Sequence, residues 1–188
     1  MRADQRQQLD QFYMSVQKQA VIQAQVAIGS RDEAFDLVQD AMIKLAKSYL
    51  ARANEWPQLF HRILQNTIKD YYRKQKVRKI LVWWQQEDQT GTASESAAHN
   101  PYEQAASEKT SEPEFSKDAH ELQSKLANAL SMLPLRQQQA FMLRAWWQLD
   151  TQETAQAMSC SAGSVKTHYS RALSKLRAEL GDFESMLV

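Results

Sequence analysis

Apolar residues recur at steps of three and four along most of the chain, which is the spacing of amphipathic α-helices. In the first 84 residues the pattern predicts three helices. Their apolar stripes are Leu9, Phe12, Tyr13, Val16, Ala20 and Ala24 in the first, Ala34, Leu37, Val38, Ala41, Leu45 and Tyr49 in the second, and Leu59, Phe60, Ile63, Leu64, Thr67, Ile68 and Tyr71 in the third. Gly29 is placed to end the first helix, and Ser30 with Glu33 resembles a capping box that begins the second. The third is expected to begin around residues 54–57.

A second periodic block begins near Ala119. It predicts one helix that ends before Pro134, a second over residues 136–147 and a short third over 151–158. After a turn at residues 159–161, a long helix is predicted over 162–180, where Gly181 can cap it. The apolar face of this last helix consists of Val165, Tyr169, Ala172, Leu173, Leu176 and Leu180.

The periodicity stops between the two blocks. Residues 85–118 contain no Leu, Ile, Val or Met, and they carry eight acidic residues against two lysines. Such a segment cannot bury enough apolar surface to offset its ordering entropy, so we expect a flexible acidic linker. The predicted organisation is all-α, with helical domains over residues 1–84 and 119–188 joined by that linker.

Composition narrows the classes of protein that remain. The chain of 188 residues has four Gly and four Pro, which favours helices over sheets. No apolar run is long enough to span a membrane, no signal peptide is evident, and Cys160 is the only cysteine; these features indicate a cytoplasmic protein without membrane insertion. The histidines show no metal-ligand spacing, and neither a phosphate loop nor a Ser–His–Asp arrangement is present, so we expect no catalytic residue, no cofactor and no metal.

A short helix, a three-residue turn and a second amphipathic helix form the pattern of a helix-turn-helix. The polar face of the second helix offers cations for phosphate or guanine, hydroxyls for phosphate oxygens, and small residues at its N-terminus that let the backbone approach a groove. The candidate DNA-binding residues here are Ala162, Gly163, Ser164, Lys166, Thr167, His168 and Arg171. The alternative interpretation is an ordinary amphipathic helix with a solvated basic face.

Two further surfaces stand out in the first block. Asp36 and Asp40 are like charges four residues apart on one helix, which favours a basic partner; a solvated face balanced by Lys44 and Lys47 is the alternative. Residues 61–79 carry seven Lys or Arg against one acid, interleaved with aromatic rings. Cations beside Tyr71 and Tyr72 suit an unpaired DNA strand. The candidate strand-binding residues are Asn66, Lys69, Arg73, Lys74 and Lys76.

These segments also resemble one known family. Residues 130–144 (LSMLPLRQQQAFMLR) and 161–177 (SAGSVKTHYSRALSKLR) are similar to the promoter-binding domain of bacterial sigma factors. Residues 36–45 (DLVQDAMIKL) and 59–66 (LFHRILQN) resemble the N-terminal domain of the same family. The short chain with two such domains resembles the extracytoplasmic-function class. Four positions depart from the family pattern: Gln148 stands where a turn glycine is usual, Gln138 where a basic residue is usual, Thr154 where isoleucine is usual, and Gln58 where tryptophan is usual.

The resemblance implies a transcription initiation factor that is not itself an enzyme. Its partners would be core RNA polymerase and promoter DNA, and an anti-sigma factor is a further candidate partner. Residues 1–84 would bind the polymerase and recognise and melt the −10 element, and residues 119–188 would recognise the −35 element. The polymerase-binding residues would be Asp36, Gln39, Asp40 and Lys44. The alternative is a helix-turn-helix regulator whose N-terminal block dimerises or binds a ligand.

Overall fold

A computed structural model describes residues 3–87 and 117–181, and every regular element in these two ranges is helical. The helices are α1 (Ala3–Ile28), α2 (Arg31–Tyr49), a 3₁₀ turn (Ala53–Glu55), α3 (Trp56–Glu87), α4 (Lys117–Ser131), α5 (Leu135–Phe141), a π-helical turn (Met142–Trp146), α6 (Thr151–Met158) and α7 (Ala162–Leu180). The all-α prediction is confirmed. No helix in the described ranges is long and apolar enough to cross a bilayer.

Helices α1, α2 and α3 form the N-terminal unit around a core that includes Phe60, Leu45 and Leu64. These three side chains are completely buried, as the apolar stripes predict. Gly29 ends α1 with a φ of 82°, a left-handed conformation that glycine adopts without steric cost. The hydroxyl of Ser30 then accepts a hydrogen bond from the Glu33 amide at 3.4 Å and so caps α2.

Helices α4 to α7 form the C-terminal unit. Asp150 caps α6 with a complete capping box, in which its carboxylate accepts from the backbone of Glu153 and the side chain of Glu153 accepts from the backbone of Asp150. Ser159 adopts a left-handed conformation with a φ of 52° and turns the chain between α6 and α7. The predicted bounds of α6 and α7 are therefore those of the structure.

The edges of the predicted linker differ from the structure. Helix α3 continues through Glu87, beyond the expected boundary at residue 84, and α4 begins at Lys117, before residue 119. Polar residues such as Gln85 and Gln86 are good helix formers and can extend a helix that tertiary packing has already nucleated. The rest of the predicted linker, residues 88–116, lies outside the described ranges.

The helix predicted over residues 136–147 is also interrupted. After α5 the chain forms a π-helical turn, in which the Trp147 amide donates to the Met142 carbonyl over 3.0 Å. The wider turn rotates the following residues about the helix axis, so Trp146 is exposed, whereas Trp147 packs inward. Gln148 follows with a φ of 55°, at the position where the family pattern has a glycine.

The two units contact each other. Helix α6 lies against α3, and α4 lies against α1. Val26 of the N-terminal unit packs on the C-terminal core, while Leu135 and Trp147 pack on the N-terminal core.

Candidate nucleic-acid interface

Helix α7 presents one apolar and one polar face. Val165, Ala172 and Leu176 are buried against α4, α5 and α6. The exposed candidates on the opposite side are Gly163, Lys166, Thr167 and Arg171. Met158 of α6 and Val165 of α7 lie in the same buried cluster, on either side of the turn that joins the two helices. This packing fixes which face of α7 is exposed. The arrangement is that of a helix-turn-helix whose second helix is accessible along its N-terminal half.

The first turn of α7 is already hydrogen-bonded. The Ser161 hydroxyl caps the Ser164 amide at 3.1 Å and lies 2.9 Å from the Ser164 hydroxyl. Thr167 donates its hydroxyl hydrogen to the Gly163 carbonyl over 3.0 Å. The lone pairs of the Thr167 oxygen remain available, so this hydroxyl can accept from a base or a solvent molecule while its proton is engaged.

His168 lies half-buried on the same helix. Desolvation, followed by the charges of Arg136 and Arg171, lowers the pKa of its imidazole below the ordinary value. The ring is therefore neutral near pH 7, and it offers a hydrogen-bond donor and acceptor rather than a positive charge.

A groove of about 530 Å³ runs beside α7 and is one feature that the sequence pattern did not indicate. Its cationic lining comes from Arg144, Lys166 and Arg177. The Arg144 guanidinium lies 5.8 Å from the centre of the Tyr169 ring and donates to the Leu149 carbonyl, which fixes its position. Arg144 ends the motif of residues 130–144, and this position was the available signal for a functional role.

The acidic surface of α2 is exposed as its spacing predicts. Asp36, Gln39 and Asp40 face solvent, while Val38 and Ala41 are buried. Lys44 differs from the expected arrangement, because its ammonium donates to the Thr67 hydroxyl of α3 over 3.2 Å. This bond draws the ammonium of Lys44 toward α3, while Lys47 is exposed on the same helix.

The basic surface of α3 is only partly open. Asn66, Arg73 and Lys74 are exposed, whereas Lys69 is half-buried. The Arg73 guanidinium lies 3.9 Å from the Asp70 carboxylate in a solvent-exposed pair that contributes little to stability. The side chain of Lys76 lies outside the described part of the structure.

The two tyrosines expected to stack on an unpaired strand have structural partners. Tyr71 donates to the Glu33 carboxylate over 2.7 Å, and Gln75 donates to the Tyr71 hydroxyl. Tyr72 donates to the Ala27 carbonyl and packs on the N-terminal core. Both hydroxyl groups therefore link α3 to α1 and α2, and stacking of an unpaired base on these rings stays a prediction.

The cation-rich helix-turn-helix on this helical scaffold is the arrangement of a DNA-binding protein. Residues 123–176 match the family described as Sigma-70, region 4. The RNA polymerase sigma-E factor of Streptomyces antibioticus is 30% identical over 148 residues, which cover 79% of this chain and 71% of that protein. The sigma-E factor of Streptomyces coelicolor is 29% identical over 148 residues, with coverages of 79% and 72%. The chain belongs to the extracytoplasmic-function class of bacterial RNA polymerase sigma factors.

A solved structure has a similar fold. The sigma factor RpoE of Bartonella quintana, crystallised in complex with the anti-sigma factor NepR, aligns with a TM-score of 0.60 and 24% identity, over 92% of this chain and 96% of that chain. Family membership means that the chain directs transcription initiation together with core RNA polymerase. It favours the initiation factor over the alternative of a helix-turn-helix regulator. Within the described ranges, no group of three or more His, Cys, Asp or Glu side chains could hold a metal ion.

Proposed function

We propose that the two units divide promoter recognition between them. Residues 119–188 recognise the −35 element through α7, and residues 1–84 bind core polymerase through α2 and recognise and melt the −10 element through α3. The observation that carries this proposal is the exposed cationic face of α7 beside a groove lined by Arg144 and Arg177.

In this proposal the residues of α7 have different tasks. Lys166 and Arg171 reach phosphates or guanine edges, since both are exposed cations on the accessible half of the helix. Thr167 and His168, which lie between these two cations in the sequence, supply neutral hydrogen-bonding groups. Ala162, Gly163 and Ser164 allow the helix N-terminus to approach the DNA backbone. Arg144 adds a phosphate contact at the groove wall.

The surfaces of the N-terminal unit act in succession. The Asp36, Gln39 and Asp40 surface of α2 binds a basic surface of core polymerase, with Lys44 at its edge. The exposed Asn66, Arg73 and Lys74 of α3, with Lys69 and Lys76, then hold the separated strand through its phosphates.

We further infer that the chain contributes no catalytic group and acts in the cytoplasm, because the polymerase carries out the chemistry of RNA synthesis. An anti-sigma factor is a proposed regulatory partner. Support for it comes from the structural neighbour, the Bartonella quintana sigma factor RpoE, which was crystallised in complex with an anti-sigma factor.

Charge reversal on α2 tests the proposed polymerase surface. The double variant Asp36→Lys/Asp40→Lys should keep the helical circular dichroism and the melting temperature of the wild type, because both positions are exposed. At an interface with a basic partner the same change places positive charges opposite one another. The affinity for purified core polymerase should therefore fall at least tenfold, which corresponds to a loss of about 1.4 kcal/mol of binding free energy.

The matched control is Asp4→Lys/Asp10→Lys, which makes the same charge change on exposed positions of α1. It should bind core polymerase and support promoter-specific transcription normally. Wild-type affinity in the α2 variant would refute the assignment of this surface, and equal losses in both variants would indicate a nonspecific effect of net charge.

A further inference from the structure

Arg144 is held at the wall of the groove beside α7 by contacts with its own unit. Its guanidinium donates to the Leu149 carbonyl and lies 5.8 Å from the centre of the Tyr169 ring. An arginine carries several N–H donors in one rigid plane, so donors remain for a ligand after the bond to Leu149 is made. Among the described residues no acid forms an ion pair with Arg144, and its positive charge is therefore not neutralised by a partner within them.

The Tyr169 ring next to this guanidinium is itself fixed by the core. It stacks on the Phe141 ring, with 6.2 Å between ring centres and an angle of 25°. Phe141 is buried, whereas Tyr169 is half-buried and packs against both apolar clusters of the C-terminal unit. Phe141, Tyr169 and Arg144 therefore form a series of contacts that leads from the core to the wall of the groove.

An irregular stretch of backbone supplies the other contact of Arg144. After the π-helical turn, the Leu149 amide donates to the Leu143 carbonyl over 3.0 Å. Gln148 lies just before Leu149 and has a left-handed φ of 55°. The chain is thereby turned back toward the helix that it has left, and the Leu149 carbonyl accepts from Arg144. Elements of this kind cost free energy and are frequent at functional sites, so the position of Arg144 gives the irregular stretch a functional reason.

A guanidinium that is already fixed binds a phosphate more tightly than a mobile one. Ordering a free arginine side chain at the moment of binding lowers the affinity by about twofold to tenfold. The contacts with Tyr169 and Leu149 order Arg144 before any ligand arrives, so this loss is avoided. The groove also contains the hydroxyls of Ser170 and Ser174, which are groups that commonly contact DNA phosphates.

We propose that Tyr169 is a positioning residue for promoter binding, whose ring holds the Arg144 guanidinium in the orientation in which it donates to a phosphate of the −35 element. The consequence for DNA binding rests on the proposed function, whereas the holding of the guanidinium does not. Tyr169 acts through Arg144 and has no need to touch DNA. Its role therefore differs from that of Lys166 and Arg171, which are proposed to contact DNA directly.

Nuclear magnetic resonance of the arginine side chains tests the positioning in the full chain without DNA. The Arg144 Nε–H resonance of the wild type should be shifted upfield by the Tyr169 ring and should show restricted motion. Tyr169→Leu should remove the shift and increase the mobility, whereas Tyr169→Phe keeps the ring and should keep both features. A mobile, unshifted Arg144 resonance in the wild type overturns the inference, so the test does not depend on the folding of any variant.

Promoter binding by the complex of the full chain with core polymerase tests the consequence. The probe is a genomic DNA fragment on which this complex initiates transcription in vitro. Arg144→Ala should lower the affinity about tenfold and reduce the dependence of log affinity on log salt concentration by about one, as expected for one lost phosphate contact. Tyr169→Leu should lower the affinity about twofold to tenfold in the wild-type background, yet have little effect in the Arg144→Ala background.

Tyr13→Leu is the matched control, because it truncates a half-buried tyrosine that packs on the N-terminal core outside the groove. It should bind the promoter fragment like the wild type, and Tyr169→Phe should retain most of the affinity. Equal losses from Tyr169→Leu in both backgrounds would show a merely structural role and overturn the inference. If Tyr169→Leu frees the guanidinium but neither it nor Arg144→Ala changes promoter binding, the phosphate contact of the proposed function is contradicted and the positioning is supported.

Discussion

Gln148 has a backbone conformation that is unfavourable for a residue with a side chain. Its φ of 55° is a left-handed conformation that costs a residue with a Cβ atom about 1 kcal/mol, and the family pattern has glycine at this position. Glutamine is therefore unusual at this position of the family pattern, and the positive φ explains why glycine is usual there.

Gln148→Gly should consequently raise the free energy of unfolding by up to about 1 kcal/mol, which urea denaturation can measure. Gln156→Gly is the control, because it places glycine at an exposed position inside α6 and should lower stability by a similar amount. A loss of stability in Gln148→Gly would mean that the glutamine side chain makes a contact that outweighs the strain.

Among the described residues, His61 has a protonation state that depends strongly on the fold. Burial lowers the pKa of its imidazole from 6.5 to about 4. Between these two pH values the imidazole of His61 is protonated in the unfolded chain and neutral in the folded chain. The contribution of His61 to the free energy of unfolding is therefore complete above pH 6.5 and is lost as the pH falls toward 4. The loss can reach about 3 kcal/mol.

Thermal denaturation at pH 7.5 and at pH 5 should show this decrease. His61→Leu should flatten the pH dependence, because it removes both the titrating group and the unpartnered Nδ1 atom at similar volume. A histidine resonance that titrates near 6.5 and is assigned to His61 would show that the ring is not desolvated as the structure indicates.

At the scale of elements, α7 contributes to the core and is also proposed to bind DNA. A substitution at Gly163 can distinguish these two roles. A Cβ atom built at this position meets only the Ser161 hydroxyl oxygen, at 3.8 Å, so the fold itself has room for alanine. Helix propensity then predicts that Gly163→Ala raises stability by up to about 1 kcal/mol.

Promoter binding should respond in the opposite direction. If the helix N-terminus approaches the DNA backbone closely, the added methyl group of Gly163→Ala should weaken binding of the polymerase complex about tenfold, which corresponds to about 1.4 kcal/mol. Arg171→Ala serves as the positive control for a lost contact, with an expected cost of about 1–3 kcal/mol if it reads a base edge. Increased stability with unchanged promoter binding would place Gly163 away from the DNA.

At the scale of the whole molecule, the composition of residues 85–117 predicts where a protease cuts, and the contact between the units predicts how the fragments behave. Limited proteolysis should cut first within this segment, because it is polar, acidic and poor in apolar residues. The two fragments should then separate on gel filtration at micromolar concentration, since cleavage removes an effective concentration on the order of millimolar.

Mass spectrometry of the first fragments locates the cut, and the elution volume reports their association. Initial cleavage within residues 3–84 or 119–181 would contradict the division into two domains. Co-elution of the fragments would show that the contact around Trp147 is strong enough to persist without the covalent connection.

The sequence by itself determined which faces of the helices are apolar, where α6 and α7 begin and end, and that Asp36 and Asp40 are exposed. These features follow from local spacing and capping, which depend on residues three or four positions apart. Tertiary structure decided the rest. Periodicity specifies that a face is covered but does not specify which element covers it. The partial burial of Lys69, the groove beside Arg144 and the contact of Trp147 with Gln23 each depend on the packing of segments that are distant in the sequence.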